Sequence, residues 1–186
     1  SIGFSDSDNG GALIIYGAGD VTLDVARTLN HVRIDRTGET DLVILGADIS
    51  LNGDLTVRHG RLQFGDGTST ARTLFVRGNT LVENNGTTRI GSIRTANVVG
   101  AEHAFEMLGN FTNNGQSYFT NRADFASTAD RYNTGNAYYT TTDNTGRVNV
   151  LFTAADRDQV LDCNNLTLFS RIVIDKGTDA TYALLM

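Results

Sequence analysis

Three segments of this chain follow one template, and it restricts the fold more than any other feature of the sequence. They are Gly53-Asp54-Leu55-Thr56-Val57-Arg58-His59-Gly60, Gly78-Asn79-Thr80-Leu81-Val82-Glu83-Asn84-Asn85-Gly86 and Gly109-Asn110-Phe111-Thr112-Asn113-Asn114-Gly115. Each runs glycine, Asn or Asp, a short strand-forming stretch, then a glycine corner. Their leading glycines stand 25 and 31 residues apart, a period characteristic of solenoids and propellers. Uneven spacing favours a β-helix, whose corners absorb insertions, over a propeller blade of about 40 residues. With 20 glycines and no proline in 186 residues, turns must come from Gly, Asn and Asp, which tolerate positive φ.

Between the corners the apolar residues alternate. Val21, Leu23 and Val25 alternate with Asp20, Thr22 and Asp24, and Val32 and Ile34 with Arg33 and Asp35. Leu55 and Val57, Leu62 and Phe64, and later Val148, Val150 and Phe152 do the same. Period-two patterning predicts strands with one dry and one wet face. Residues 101–108 have the composition of a short helix, but Phe105 and Met107 fit a strand, and a strand is the expectation. The predicted class is all-β, a right-handed parallel β-helix formed as one segment over residues 1–186. A β-sandwich, also built of short alternating strands, is the alternative.

A longer echo overlies the template. Leu13 and Ile14 match Leu151 and Phe152, Asp20 matches Asp158, and Leu23-Asp24-Val25 matches Leu161-Asp162-Cys163, all at an offset of 138. After a two-residue slip, Ile34-Asp35-Arg36 matches Ile174-Asp175-Lys176. Residues 12–149 then read as one long repeat and residues 150–186 as the start of the next. Residues 120–147, rich in Thr, Asn and Tyr, leave the pattern and are expected to protrude as a loop. The apolar end at Leu184, Leu185 and Met186, and a start lacking a signal-peptide pattern, suggest a piece of a longer exported chain.

Asn165-Leu166-Thr167 followed by Ile172-Val173-Ile174-Asp175-Lys176-Gly177, and Ile49-Ser50-Leu51-Asn52-Gly53-Asp54-Leu55-Thr56-Val57 followed by Gly60-Arg61-Leu62, match a further template. With the Asn113-Asn114-Gly115 corner, they resemble the secreted β-solenoid surface proteins of bacteria, in the style of filamentous-haemagglutinin and autotransporter passengers. The resemblance covers roughly residues 12 to 115 and 148 to 186. It implies an extracellular or cell-surface location and a structural or adhesive role. It also implies partners such as a glycan or a host or cell-surface protein, and unpaired coil ends would allow end-to-end self-association.

Chemistry is sparse. A net charge of −6 repels phosphate backbones and anionic lipid, so nucleic acid is not an expected partner. Apolar runs such as Leu42 to Leu45 fall far short of the roughly 18 residues needed to span a bilayer, and no membrane insertion is expected. Asp156, Asp158 and Asp162 are the densest acidic group, as a glycan-degrading β-helix enzyme would require. Asp158 and Asp162 recur as Asp20 and Asp24, which suits a scaffold position better, so no catalytic residue is assigned. Asp6-Ser7-Asp8-Asn9-Gly10-Gly11 resembles the start of a calcium loop but lacks the ligands at its later positions. His31, His59 and His103 are not at zinc spacing from one another or from Cys163. No metal or cofactor is expected. His59 reads as a wet turn residue, His31 as part of an exposed face, and Cys163 as a small buried hydrophobe. Tyr118, Tyr132, Tyr138 and Tyr139, with Phe119 and Phe125, gather aromatic surface where the chain leaves its template. They are the candidate ligand-binding residues, because exposed tyrosines stack on sugar rings and anchor interfaces.

Overall fold

The computed structural model describes residues 2–5 as backbone and residues 11–86, 89–96, 101–120, 146–178 and 181–186 in full. Every regular element among them is a strand. After β1 (Ile2–Ser5), the chain passes repeatedly through three ladders in fixed order. The first circuit is β2 (Ala12–Gly17), β3 (Val21–Leu23) and β4 (Arg27–Leu29), and the second is β5 (His31–Arg36), β6 (Leu42–Leu45) and β7 (Ile49–Leu51). The third is β8 (Leu55–Phe64) and β9 (Thr73–Val76), and the fourth is β10 (Thr80–Val82), β11 (Gly91–Thr95) and β12 (Glu102–Met107). The fifth is β13 (Phe111–Asn113), β14 (Gln116–Tyr118) and β15 (Arg147–Phe152). The sixth is β16 (Gln159–Cys163), β17 (Thr167–Leu168) and β18 (Arg171–Ile174), and β19 (Leu184–Leu185) opens another.

Each strand from β2 on pairs in parallel with its counterpart in the neighbouring circuit, and the inner ones with both neighbours. Thus β10 pairs β8 and β13, β11 pairs β8 and β14, and β12 pairs β9 and β15. Among the described residues, only β1 pairs antiparallel in a ladder, lying against β2. Two antiparallel sheets face to face, as a sandwich requires, are therefore not what these strands form. The long strand β8 serves two ladders because it turns at Gly60, which has φ +84.

The expected phase holds along most of the chain. Val32, Ile34, Leu55, Val57, Leu62, Phe64, Phe105, Met107, Val148, Val150 and Phe152 are all buried in one core. Residues 102–107 form a strand, as Phe105 and Met107 suggest. Phenylalanines run up the interior: Phe64 to Phe105 at 5.7 Å, Phe105 to Phe119 at 6.0 Å, and Phe119 stacked on Phe169 at 5.4 Å between centroids. Stacked apolar faces of successive circuits make stability roughly additive from neighbour to neighbour. Val25 departs from the expectation and is 54% exposed, because it falls in the gap between β3 and β4.

The glycine–Asx template builds one corner, from the third ladder back to the first. Gly53, Gly78 and Gly109 stack so closely that a Cβ on Gly109 would strike the backbone of Gly78, and one on Gly78 the backbone of Gly53. The next residue in each circuit accepts a backbone N–H from the circuit above. Asp54 N–H donates to His31 Nδ1 (2.9 Å), and Asn79 N–H to Asp54 Oδ1 (2.7 Å). Asn110 N–H donates to Asn79 Oδ1 (2.9 Å), and Val160 N–H to Asn110 Oδ1 (2.8 Å). At the corner between the first and second ladders, Gly91 lies over Gly60, and a Cβ on it would run into the Val57 carbonyl oxygen.

The offset-138 echo pairs residues on different ladders. Leu13 lies on the first ladder and Leu151 on the third, while Leu23 lies on the second and Leu161 on the first. Its polar residues nonetheless do the same work. Asp20 Oδ1 accepts Leu42 N–H at 2.9 Å, and Asp158 Oδ1 accepts Ala183 N–H at 2.8 Å. Arg36 turns inward and donates to the Tyr16 and Gly19 carbonyls, and Lys176 turns inward and donates to the Arg157 carbonyl at 2.8 Å. Both cations are buried. The echo is thus one strand–corner unit used at two different corners.

Candidate functional site

Most of the aromatic cluster expected near residues 120–147 lies outside the described residues. Tyr118 is half-buried on the outer face of the second ladder, opposite Arg94, and its hydroxyl donates to Gln116 Oε1 at 3.2 Å. Tyr132, Tyr138, Tyr139 and Phe125 lie outside the described residues. Phe119 is not surface at all: it is fully buried in the phenylalanine stack, because it continues the inward phase of Ser117. Thr120 and Arg147 form an isolated antiparallel bridge.

The acidic group is dispersed by its bonds. Asp156 lies flat against its neighbour Arg157 (2.8 Å for both contacts), Asp158 holds Ala183 N–H, and Asp162 accepts from Asn164 Nδ2 at 3.0 Å. The Arg157 guanidinium holds the exposed Asp156 carboxyl below its ordinary range. The calcium-like stretch Asp6 to Gly10 lies outside the described residues. Among the described residues, no three His, Cys, Asp or Glu side chains converge as a metal site would need.

Two sequence expectations are corrected. Cys163 is exposed rather than buried. It ends β16, and β19 pairs only with Gln159 and Val160 of that strand. His59 is buried, not wet, with 5% exposure. It keeps the inward phase of Leu55 and Val57 along β8, and the register between β5 and β8 shifts between Ile34 and Asp35, so His59 rather than Arg58 comes opposite Asp35. An extra residue of this kind bends a strand and re-aims its side chains. His31 is half-buried and heads the corner column described above.

The same irregularity shapes a polar cleft of about 560 Å³ on the flank of the first circuits, walled by Tyr16, Asp35, Arg36, Thr37, His59 and Arg89. Asp35 sits at its centre: Arg89 Nη2 donates to its Oδ1 at 2.6 Å and Arg58 Nη1 to its Oδ2 at 3.4 Å. Arg58 also leans towards Glu83 at 3.6 Å. His59 Nδ1 lies 2.7 Å from the Arg36 carbonyl oxygen. A carbonyl only accepts, so Nδ1 carries a proton, and in the neutral ring Nε2 is left as an acceptor. That Nε2 is buried with no hydrogen-bond partner, as is Arg36 Nε. Unsatisfied buried polar atoms are uncommon in native folds and mark places to examine. Sequence reasoning missed this cleft because Asp35, His59 and Arg89 come from three circuits and share no spacing motif. The nearest signal was the His59-Gly60 corner.

No family model matches the chain, and neither characterised proteins nor solved structures yield a similar protein.

Proposed function

We propose that this chain is a segment of right-handed parallel β-solenoid acting as a non-catalytic structural and adhesive spacer in a large exported bacterial surface protein. The observation that carries this reading is where the polar side chains go. Asp20, Asp48, Asp54, Asn79, Asn110 and Asp158 each accept a backbone N–H from an adjoining circuit. His31 and His103 do the same through Nδ1. Side chains that elsewhere do acid–base work are here committed to joining one circuit to the next. The right hand follows from the twist of parallel strands, whose crossovers within a sheet are right-handed in nearly all cases. The surface-protein assignment rests on the resemblance of the Asn-Leu-Thr and Gly-Asp-Leu-Thr stretches.

The test is incubation of the chain with a panel of neutral and acidic polysaccharides, followed by assay for new reducing or unsaturated ends. The spacer reading expects none. Release that disappears in Asp156→Asn or Asp162→Asn would replace it with a glycan-degrading enzyme. Light scattering across a concentration series separates a lone spacer from one that assembles end to end.

A further inference from the structure

We propose that the cleft walled by Tyr16, Asp35, Arg36, His59 and Arg89 binds a carboxylate flanked by hydroxyl groups, as in a sugar acid. The source is either a free hydroxy acid or the end of an acidic saccharide. The inference goes beyond the spacer reading and does not depend on it.

Charge gives the first argument. The whole chain carries −6, yet two arginines and one aspartate are among the residues that wall this cleft. Arg36 is 1% exposed, held by the Tyr16 and Gly19 carbonyls. Those carbonyls bond its guanidinium without neutralising it, and the single Asp35 is shared with Arg58 as well as Arg89. The balance on the wall is cationic and favours an anion. Arg89 approaches Asp35 through one terminal nitrogen, and its side chain is 49% exposed. The remaining donors of its fork suit a carboxylate, which arginine grips through two parallel bonds.

Hydrogen-bond polarity gives the second. In the neutral ring, His59 Nε2 accepts while Nδ1 donates to the Arg36 carbonyl oxygen. Asp35 accepts too. A ligand reaching Asp35, whose side chain is 17% exposed, must bring donors, and hydroxyl groups are the donors that an anion can carry beside its carboxylate. The third argument is shape. A volume of about 560 Å³ lies within the usual range for small-molecule sites, and Tyr16, 47% exposed, offers a ring face for the apolar side of a sugar.

The experiment is calorimetric titration of the intact chain with glucuronate, glucose and acetate. Glucuronate should bind about tenfold or more tightly than either of the others, since glucose lacks the carboxylate and acetate the hydroxyls. Binding should weaken as salt rises. Arg89→Gln should lose about tenfold in affinity, as expected for one charge-assisted contact, and Tyr16→Ala should weaken binding, with thermal melts confirming that each variant is folded at the titration temperature. An oligoglucuronate that binds more tightly than the monomer assigns the chain end as the source, and equal affinity assigns the free acid. Absence of glucuronate binding at millimolar concentration, equal affinity for glucose, or full affinity in Arg89→Gln overturns the proposal.

Discussion

Acid has to undo a bond at His103. Its Nδ1 accepts Arg72 N–H at 3.0 Å, and its Nε2 is buried against Phe64, whose ring centroid is 6.1 Å away. Burial holds its pKa below the ordinary histidine value, Arg72 pushes it further down, and Asp66 opposes them. Below about pH 6.5 the unfolded chain binds this proton while the folded chain does not, so stability falls as pH drops through that value. One proton limits the slope to about 1.4 kcal/mol per pH unit. Urea midpoints at pH 7.5 and 5.5 should show the fall, and His103→Gln should shrink the difference between the two. Gly91 is a second sensitive position. Gly91→Ala forces a methyl group into the Val57 carbonyl and should cost about 1–3 kcal/mol, the usual penalty of overpacking, read by denaturant unfolding. Alternation made inward residues legible in the sequence. His59 keeps the inward phase of Leu55 and Val57, but its polarity and its glycine neighbour pointed to a wet turn, and Cys163 runs past the strand that would have covered it.

Among elements, the corner column decides how strands keep register. Asn79→Ala removes the acceptor of Asn110 N–H and should destabilise by about 1–3 kcal/mol, the cost of a backbone donor left without its partner. Asn79→Asp keeps an acceptor at the same place and should cost less. Thermal melts of the two variants side by side check the ranking, and equal losses would show that the column is incidental. This corner was readable beforehand, since glycine beside Asn or Asp needs only local chemistry. The cleft was not, because a register irregularity between distant strands assembles it. The tyrosine candidates rested on composition alone, and Tyr118, the one within the described residues, lies on the outer face of the second ladder, away from that cleft.

Across the whole molecule, each circuit is held chiefly by the circuits on either side. Amide exchange should therefore be slowest in β8, β10, β11 and β12, which are flanked by circuits on both sides, and fastest in β1 and β19. Phe105→Ala should cost about 3–5 kcal/mol, because Phe105 contacts the rings of Phe64, Phe111 and Phe119 at once, and its loss should speed exchange in the central strands first. The matched pair Arg36 with Asp20 and Lys176 with Asp158 has a further implication for length. If the same bend can serve at any edge of the prism, such a chain can grow or shrink by a third of a revolution. Copies of one ancestral stretch would then face different directions, so that a side chain duplicated along the sequence would be displayed around the column and not up one side of it.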